Sequence, residues 1–422
     1  MTAKAISPPL CLFLVKISDI RLARIPDSAR VTARVTWERS DRPPFELFFE
    51  TDGAGREDLV PAPEAFATAC ALPARHHGER RLLVEGSLCP RLAEGLSSAT
   101  ALLRTWFGGP PRPLAVEASE GFRALAPRDP ARSAVYITGG IDSTHLIHAN
   151  RRDYTPAHPA WFADGISLAG NLLPDREDSP WCPRARARLE KAAQARNLTL
   201  IPVRTNVWEL DPDLPFVTQQ RLSSTLASAA HLFPGRWSSV SIASGLHVAD
   251  EFPRGTHPLL DPLYSSSGVE VRHDPLPLTR FDRLRVLAQS GADAIDELIV
   301  CLAYPSEPHL NCGECEKCVR TMAALVALGR LADTHSFRHP DVTPEMIRSV
   351  PVTSDEIGYW EEILEPLAKR DRGDLVRAID AKLAETRRLK RWAGDAGLKG
   401  QLRKLDRRLL GGRLLEMRRR LK

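Results

Sequence analysis

The sequence predicts an α/β protein: a parallel sheet wrapped by helices over residues 130–350, a small α+β domain before it, and a basic helical tail after it. Three observations carry that reading. From about residue 130 short apolar β-prone runs alternate with segments of helical spacing. A glycine pair, Gly139-Gly140, separates the first of those runs from the first of those helices. Before residue 120 the runs are short and alternating, and they meet a Pro/Gly breaker at 108–113.

In chain order, Leu12–Val15, Val31–Trp37 and Phe45–Phe49 read as strands. Pro61–Ala71 and Pro90–Trp106 have helical spacing, with Leu82–Val84 a strand between them. Gly108–Pro113 is a candidate linker, and Leu114–Ala118 is one more strand of the first domain, 1–125. Ala134–Ile137 then leads into a helix from Asp142, and Ala160–Phe162 is a short strand. Pro183–Asn197 is helical and feeds the strand Leu198–Val203; Gln219–Leu232 is helical and precedes the strand Val240–Ala243. Such alternation places the ligand at the strand C-terminal ends. The tail, 354–422, is helical and charged, and no internal repeat is visible.

With 422 residues the chain can bury a substantial core. No apolar run approaches the roughly 18 residues that span a bilayer, and Leu10–Val15 is too short, so a cytoplasmic protein is expected. The net charge of +5 is concentrated from Arg387 onward, leaving the body slightly acidic. In that tail Leu398, Leu402, Leu405, Leu409 and Leu410 recur among Arg and Lys at helical spacing. A basic amphipathic helix suits RNA phosphates, an anionic membrane surface, an acidic protein partner, or its own body. Eight cysteines are too few for a secreted disulfide scaffold, and Cys11, Cys70, Cys89 and Cys182 are scattered as buried thiols would be.

The stretch Thr138-Gly-Gly-Ile-Asp-Ser-Thr144 is the most informative. Two glycines let the backbone approach an anion, and the following helix N-terminus supplies positive potential for phosphate. Ser143 and Thr144 add hydroxyls, and Asp142 can cap the helix or hold a metal ion. The Lys of a Walker-type loop is absent.

A second cluster, Cys301, Cys312, Cys315 and Cys318, has the spacing Cys-x10-Cys-x2-Cys-x2-Cys. Each Cys-x2-Cys step puts two thiolates on a tight turn, which Gly313 permits, and four thiolates favour Zn²⁺ in a closed structural site. An iron–sulfur cluster uses the same ligands, and four unrelated thiols are the plain alternative.

The loop at 138–144 resembles the Ser-Gly-Gly-x-Asp-Ser pyrophosphate loop of the ATP pyrophosphatases, with Thr138 for the first Ser. Together with the late cysteine cluster it resembles the 7-cyano-7-deazaguanine synthases, over about residues 130–332. Between the motifs, Arg221 falls where that family has an Arg-Asn pair, although Leu222 replaces the Asn. Gly245-Leu-His-Val-Ala-Asp250 resembles its Gly-x-Asn-x-x-Asp segment, and Pro277-Leu-Thr-Arg280 its Pro-Leu-x-x-x-Thr-Lys segment. The family's Tyr-Gly-Gln-Arg-His segment is missing, with Phe162-Ala-Asp-Gly165 in that region. The first 120 residues and the tail have no counterpart in the compact synthases.

The resemblance implies an adenine nucleotide alpha hydrolase-like, Rossmann-like core carrying a zinc-binding segment. It implies that Thr138, Gly139, Gly140, Asp142, Ser143, Thr144 and Gly245 bind ATP with Mg²⁺, with Arg280 on the pyrophosphate. Asp142, Ser143, Arg280 and Asp250 become the candidate catalytic residues, and Arg221 and His247 the candidate substrate contacts. His247 also reads as a structural loop histidine, Asp250 as a helix cap, and His257–Pro262 as a substrate loop or, preferably, a Pro-fixed turn. The implied activity is an AMP- and pyrophosphate-forming ligase that adenylates a carboxylate or amide for attack by ammonia or another nitrogen nucleophile. A sulfur-transferring enzyme and a catalytically silent nucleotide-binding module are the alternatives. The expected acceptor is a small molecule, in a monomer or a homo-oligomer.

Overall fold

The computed structural model describes residues 14–169, 179–301, 303, 305 and 309–393, which fall into two compact units, Met1–Arg280 and Phe281–Lys422. Leu398–Leu410, Cys11 and the first residues of the Leu12–Val15 run lie outside the described residues. No described helix is long and apolar enough to cross a membrane.

The first unit is built on one ten-stranded sheet. Its strands are β1 (Leu14–Arg24), β2 (Ser28–Trp37), β3 (Phe45–Asp52), β4 (Arg81–Val84), β5 (Ala115–Ala118), β6 (Ser133–Tyr136), β7 (Phe162–Ala169), β8 (Thr199–Thr205), β9 (Ser239–His247) and β10 (Glu270–Leu276). The spatial order is β10-β9-β6-β7-β8-β3-β2-β1-β4-β5. Pairing is parallel from β10 to β8, antiparallel across β8-β3-β2-β1, and parallel again to β5. Its helices are α1 (Pro63–His76), α2 (Pro90–Phe107), α3 (Ile141–Asp153), α4 (Trp181–Ala195), α5 (Val207–Leu210), α6 (Leu214–Phe216) and α7 (Leu222–Ala230).

Sequence pattern explains most of these elements. On β2, Ala29, Val31, Ala33 and Val35 alternate inward with essentially no exposure, the period of a strand that packs one face on a core. All four residues of β6 are buried, as expected for a central parallel strand covered on both faces. Helix α1 is buried from Glu64 to Arg75 and packs against α7; its alanines allow that close approach. Its apolar groups join those of β1–β3, β6, β8 and β9 in one continuous core.

The expected division at 125–130 is corrected by this sheet. β3 pairs with β8 through Phe49–Thr205, Glu50–Arg204 and Thr51–Val203, so the N-terminal strands extend the parallel half edge to edge. The side chain of Asn206 prolongs the ladder, accepting from Phe48 N–H at 2.9 Å and donating to Glu46 O at 2.8 Å. Gly108–Pro113 is accordingly no interdomain linker: it joins α2 to β5, which pairs with β4 in the same sheet. Two strands also differ from expectation. The run at 160–162 becomes β7 at Phe162–Ala169, and β10 is a strand the alternation did not single out, because its Arg272, His273 and Asp274 break the apolar run.

Asp164 on β7 fixes the opposite ends of the strands. It is wholly buried, accepts two bonds from Arg132 at 2.8 Å, and also takes Arg236 Nη2 and Trp237 Nε1, each at 2.8 Å. Burial opposes its charge, but these donors outweigh it and hold the carboxyl below the usual range. Arg236 also bonds Asp58 and Ala54 O, in the segment that follows β3.

The second unit is helical: α8 (Arg280–Ser290) starts at its boundary, followed by α9 (Ala292–Asp296), α10 (Glu316–Leu328), α11 (Pro344–Ser349), α12 (Ile357–Glu361), α13 (Leu364–Ala368) and α14 (Gly373–Ala393). α10 packs on α11 and α13, and α14 on α11 and α13. Buried Glu316 ties α10 to α12, bonding Arg320 at 2.6 Å and Trp360 Nε1 at 3.0 Å. The cysteine segment therefore belongs with the helices that follow it. The expected boundary at 350–354 runs through this bundle, where apolar contacts between distant helices override the change in composition.

Candidate functional site

In the parallel half the first strand, β6, is central, β7 and β8 run to one side, and β9 and β10 return on the other. The topology switches between β6 and β9, and in open α/β sheets ligands bind outside the strand C-termini at that point. The glycine loop stands there, between β6 and α3.

Gly139 has φ +73°, a left-handed conformation that L side chains adopt with strain, and it reverses the chain out of β6. Hydroxyls close the loop. Thr138 Oγ1 lies 3.0 Å from Ser143 Oγ and accepts from Gly140 N–H at 3.2 Å. Ser143 Oγ accepts from Thr138 N–H at 3.3 Å, and Thr144 N–H donates to Gly140 O at 3.0 Å. Gly140 is the N-cap of α3 and offers no side-chain cap, so the first-turn N–H groups have no intrahelical acceptor. Asp142 sits in that first turn, and Arg280 Nη2 donates to its Oδ2 at 2.8 Å. Both side chains are largely shielded from solvent, and 138 residues separate them in the chain.

The other predicted site residues go elsewhere. Gly245 lies near the end of β9, beside the guanidinium of Arg254. His247 turns back on its own chain and accepts from Ala249 N–H at 3.1 Å; Asp250 is 68% exposed on the short turn that follows. Arg221 is fully buried, donating to Val207 O at 3.0 Å, while its Nε and Nη2 find no hydrogen-bond partner among the described residues. Burial pulls its pKa down to about 10, against the opposing charge of Asp211. Arg221 closes a π-helical turn, Val217–Arg221, ahead of α7, a register irregularity invisible to helical spacing.

A buried network that spacing did not reveal occupies the C-terminal ends of β9 and β10. His273 Nδ1 lies 2.8 Å from Asp261 Oδ2, and its Nε2 lies 3.7 Å from Glu251 Oε1. Ser244 Oγ donates to the same Glu251 oxygen at 3.0 Å, and His257 N–H donates to Asp261 Oδ1 at 3.0 Å. Burial opposes a charge on His273, but the two carboxylates prevail and raise its pKa to about 9. His257, whose ring meets Trp106 edge-on, is lowered by burial. The expected Pro-fixed turn at 257–262 thus also carries an acid that orients a histidine one strand away.

In the second unit the four cysteines converge. Their sulfurs lie within 4.8 Å of one another, with Cys312–Cys318 at 3.8 Å and Cys301–Cys315 at 3.9 Å. A tetrahedron with metal–sulfur bonds of about 2.3 Å has edges of about 3.8 Å, so the set could bind zinc. Gly313 turns the chain at φ +76°. N–H groups of Glu314 and Cys315 point at Cys312 Sγ at 3.4 and 3.2 Å, and Ala303 N–H points at Cys301 Sγ at 3.3 Å. Hydrogen bonds with Cys315 and Cys318 lower the Cys301 thiol, and the interactions with Cys301 and Cys315 push Cys318 up. Asn311, missed in the sequence, is wholly buried beside them. It accepts from the N–H groups of Val300 and Cys301 and donates to Leu298 O and Ser336 O. A lone Asn before a cysteine carries no sequence signal of that task.

Comparison of the chain with protein-family models, with curated proteins and with solved structures finds no match.

Proposed function

We propose that the chain is an ATP pyrophosphatase-type ligase with an adenine nucleotide alpha hydrolase-like core, which adenylates a carboxylate or amide acceptor. The observation that carries this reading is the glycine loop at the switch point between β6 and β9, with the Asp142–Arg280 pair at its helix end. A left-handed glycine, an uncapped helix N-terminus and three hydroxyl side chains form a cradle suited to a run of phosphate oxygens.

In this reading the loop and Thr138, Ser143 and Thr144 hold the phosphates of ATP. Asp142 would hold Mg²⁺, which when bound would offset phosphate charge. Arg280 leaves Asp142 to meet the pyrophosphate as it departs. The acceptor oxygen attacks the α-phosphorus, the new P–O bond forms, and the bond to the bridging oxygen breaks to release pyrophosphate. A nitrogen nucleophile then bonds to the acceptor carbon, AMP leaves with the oxygen, and the amine proton passes to solvent. The chain's own contribution is positioning and charge stabilisation. Cys301, Cys312, Cys315 and Cys318 would hold Zn²⁺ with no open position, a structural role.

On the acceptor side this reading favours groups other than those the resemblance implies. Exposed Asp250, turned-back His247 and enclosed Arg221 are poor acceptor contacts, whereas Ser244, Glu251 and His273 gather at the strand ends beside the loop strand. The test is release of AMP and pyrophosphate from Mg²⁺-ATP with ammonium and a panel of carboxylates. Stimulated release that Asp142→Ala abolishes is the expected result. Absence of ATP binding by wild-type protein overturns the proposal, and binding without turnover across the panel replaces it with a nucleotide-binding module.

A further inference from the structure

Among the described residues a second cluster brings three ligand-type side chains together: His76, His77 and Asp211, with ligand atoms within 4.8 Å of one another. His76 is the last residue of α1, His77 follows it, and Asp211 follows α5. The two histidines come from the antiparallel half of the sheet and the carboxylate from the parallel half, beside the β3–β8 seam.

The three groups are held rather than loosely gathered. Asp211 Oδ2 lies 2.5 Å from His76 Nδ1 and 3.1 Å from His77 Nε2. Its side chain is 4% exposed, and its Oδ1 accepts from Asp213 N–H at 3.3 Å. The His76 ring is stacked on Phe216 with centroids 4.0 Å apart, and its other nitrogen faces Asp213 Oδ2 at 4.0 Å. A carboxylate behind the distal nitrogen is the usual outer partner of a metal-bound imidazole. The His77 ring meets Trp37 edge-on at 5.6 Å. Both histidine side chains remain about a quarter to a third exposed, so an ion can reach them.

We propose that His76, His77 and Asp211 form a site for a borderline divalent transition metal of the Zn²⁺ or Co²⁺ class, which staples the two halves of the sheet at their seam. Two imidazole nitrogens and one carboxylate oxygen suit such ions and not Mg²⁺ or Ca²⁺. Three protein ligands leave a position for water. Ligation uses the lone pairs of His76 Nδ1 and His77 Nε2. His76 then ligates as the Nε2–H tautomer: the proton on Nδ1 leaves to solvent, Nε2 keeps or takes up one facing Asp213, and nothing is oxidised or reduced.

Two cations oppose the ion. Arg42 Nη1 hydrogen-bonds His77 Nε2 and must leave it; Glu209 O, 3.4 Å from Nη2, and the Trp37 ring, 5.0 Å from the guanidinium carbon, remain as its partners. Buried Arg221 also acts on Asp211. The site is therefore weaker than the four-thiolate set, and Arg42→Ala should tighten it about tenfold.

The experiment is a Co²⁺ titration of the full chain, followed by absorption and by thermal melting. The first equivalent should give strong near-ultraviolet thiolate-to-cobalt bands. A second should add only weak visible bands and raise the melting temperature. His76→Gln, a change at a partly exposed side chain, should lose the second equivalent and its melting shift while keeping the first. Asp211→Asn should also lose it, with circular dichroism checking the fold. A single equivalent in wild-type protein, or a second one that His76→Gln leaves unchanged, overturns the proposal, and the three residues are then only an ion-paired latch.

Discussion

In one half of the ten-stranded sheet β1 lies between β2 and β4, with β3 and β5 outside; in the other β6 lies between β7 and β9, with β8 and β10 outside. The halves have the same strand order and meet through their third strands. They part at the end of the first strand. After β1 the turn Ile25–Asp27 sends the chain straight back into antiparallel β2, with Ile25 N–H bonded to Ser28 O at 3.0 Å. After β6 come the glycine loop and α3, which cross over to parallel β7. Strand order alone therefore sets no helix N-terminus at a switch point. The helical crossover does.

The largest expected effect tests whether the halves are one structure. Removing Asp164 leaves Arg132 and Arg236 without their buried counter-charge, so Asp164→Ala should cost about 3–5 kcal/mol. Both halves should melt together in calorimetry, since Arg236 also holds the 54–58 segment. Separate transitions for the two halves would break the single-sheet description.

Next is the functional difference. Asp142→Ala should lower AMP and pyrophosphate release by roughly 100- to 1,000-fold, a loss typical of one electrostatic group in a phosphoryl site. Protection from hydrogen exchange on adding Mg²⁺-ATP should appear at residues 138–144 and the end of β9, not at the β1–β2 turn. Protection at both first-strand ends would erase the contrast.

A smaller effect follows from His273. Its folded pKa of about 9 exceeds the ordinary histidine value near 6.5, so its contribution is complete below pH ~6.5 and is lost as pH rises through about 9. Urea midpoints should fall across that window, by up to about 3 kcal/mol in stability, and should flatten in His273→Gln. An unchanged profile in the variant would remove His273 from the strand-end network.

The smallest lies at the seam. Asn206→Ala deletes two bonds to the β3 backbone and should cost about 1–2 kcal/mol, read as a lower melting temperature with little change in ATP affinity. A strong effect on ATP affinity would mean that the seam and the switch point are coupled.

What was legible in the sequence was local. Thr138–Thr144 announces a strand-to-helix turn with hydroxyls because every group that shapes it lies within seven residues. The Cys-x2-Cys steps do the same for the sulfur cluster, and alternation along β2 fixes its inward face. The α/β class also followed, since hydrophobic period reports local geometry.

What only the tertiary structure decided is pairing between distant segments. The union of β3 with β8 uses backbone bonds, which any residue supplies, so nothing in either strand names its partner. Composition suggested a boundary near residue 130, and the pairing of β3 with β8 erased it. Arg221 sits where resemblance implied a substrate contact, yet burial against Val207 gives it another environment. Asp261 with His273, and Asp211 with His76, are brought together by neighbouring strands and helices over separations that no spacing rule covers. Short-range sterics and hydrogen bonds are written residue by residue; burial and charge are properties of the folded surroundings, and those exist only once the sheet has closed its seam.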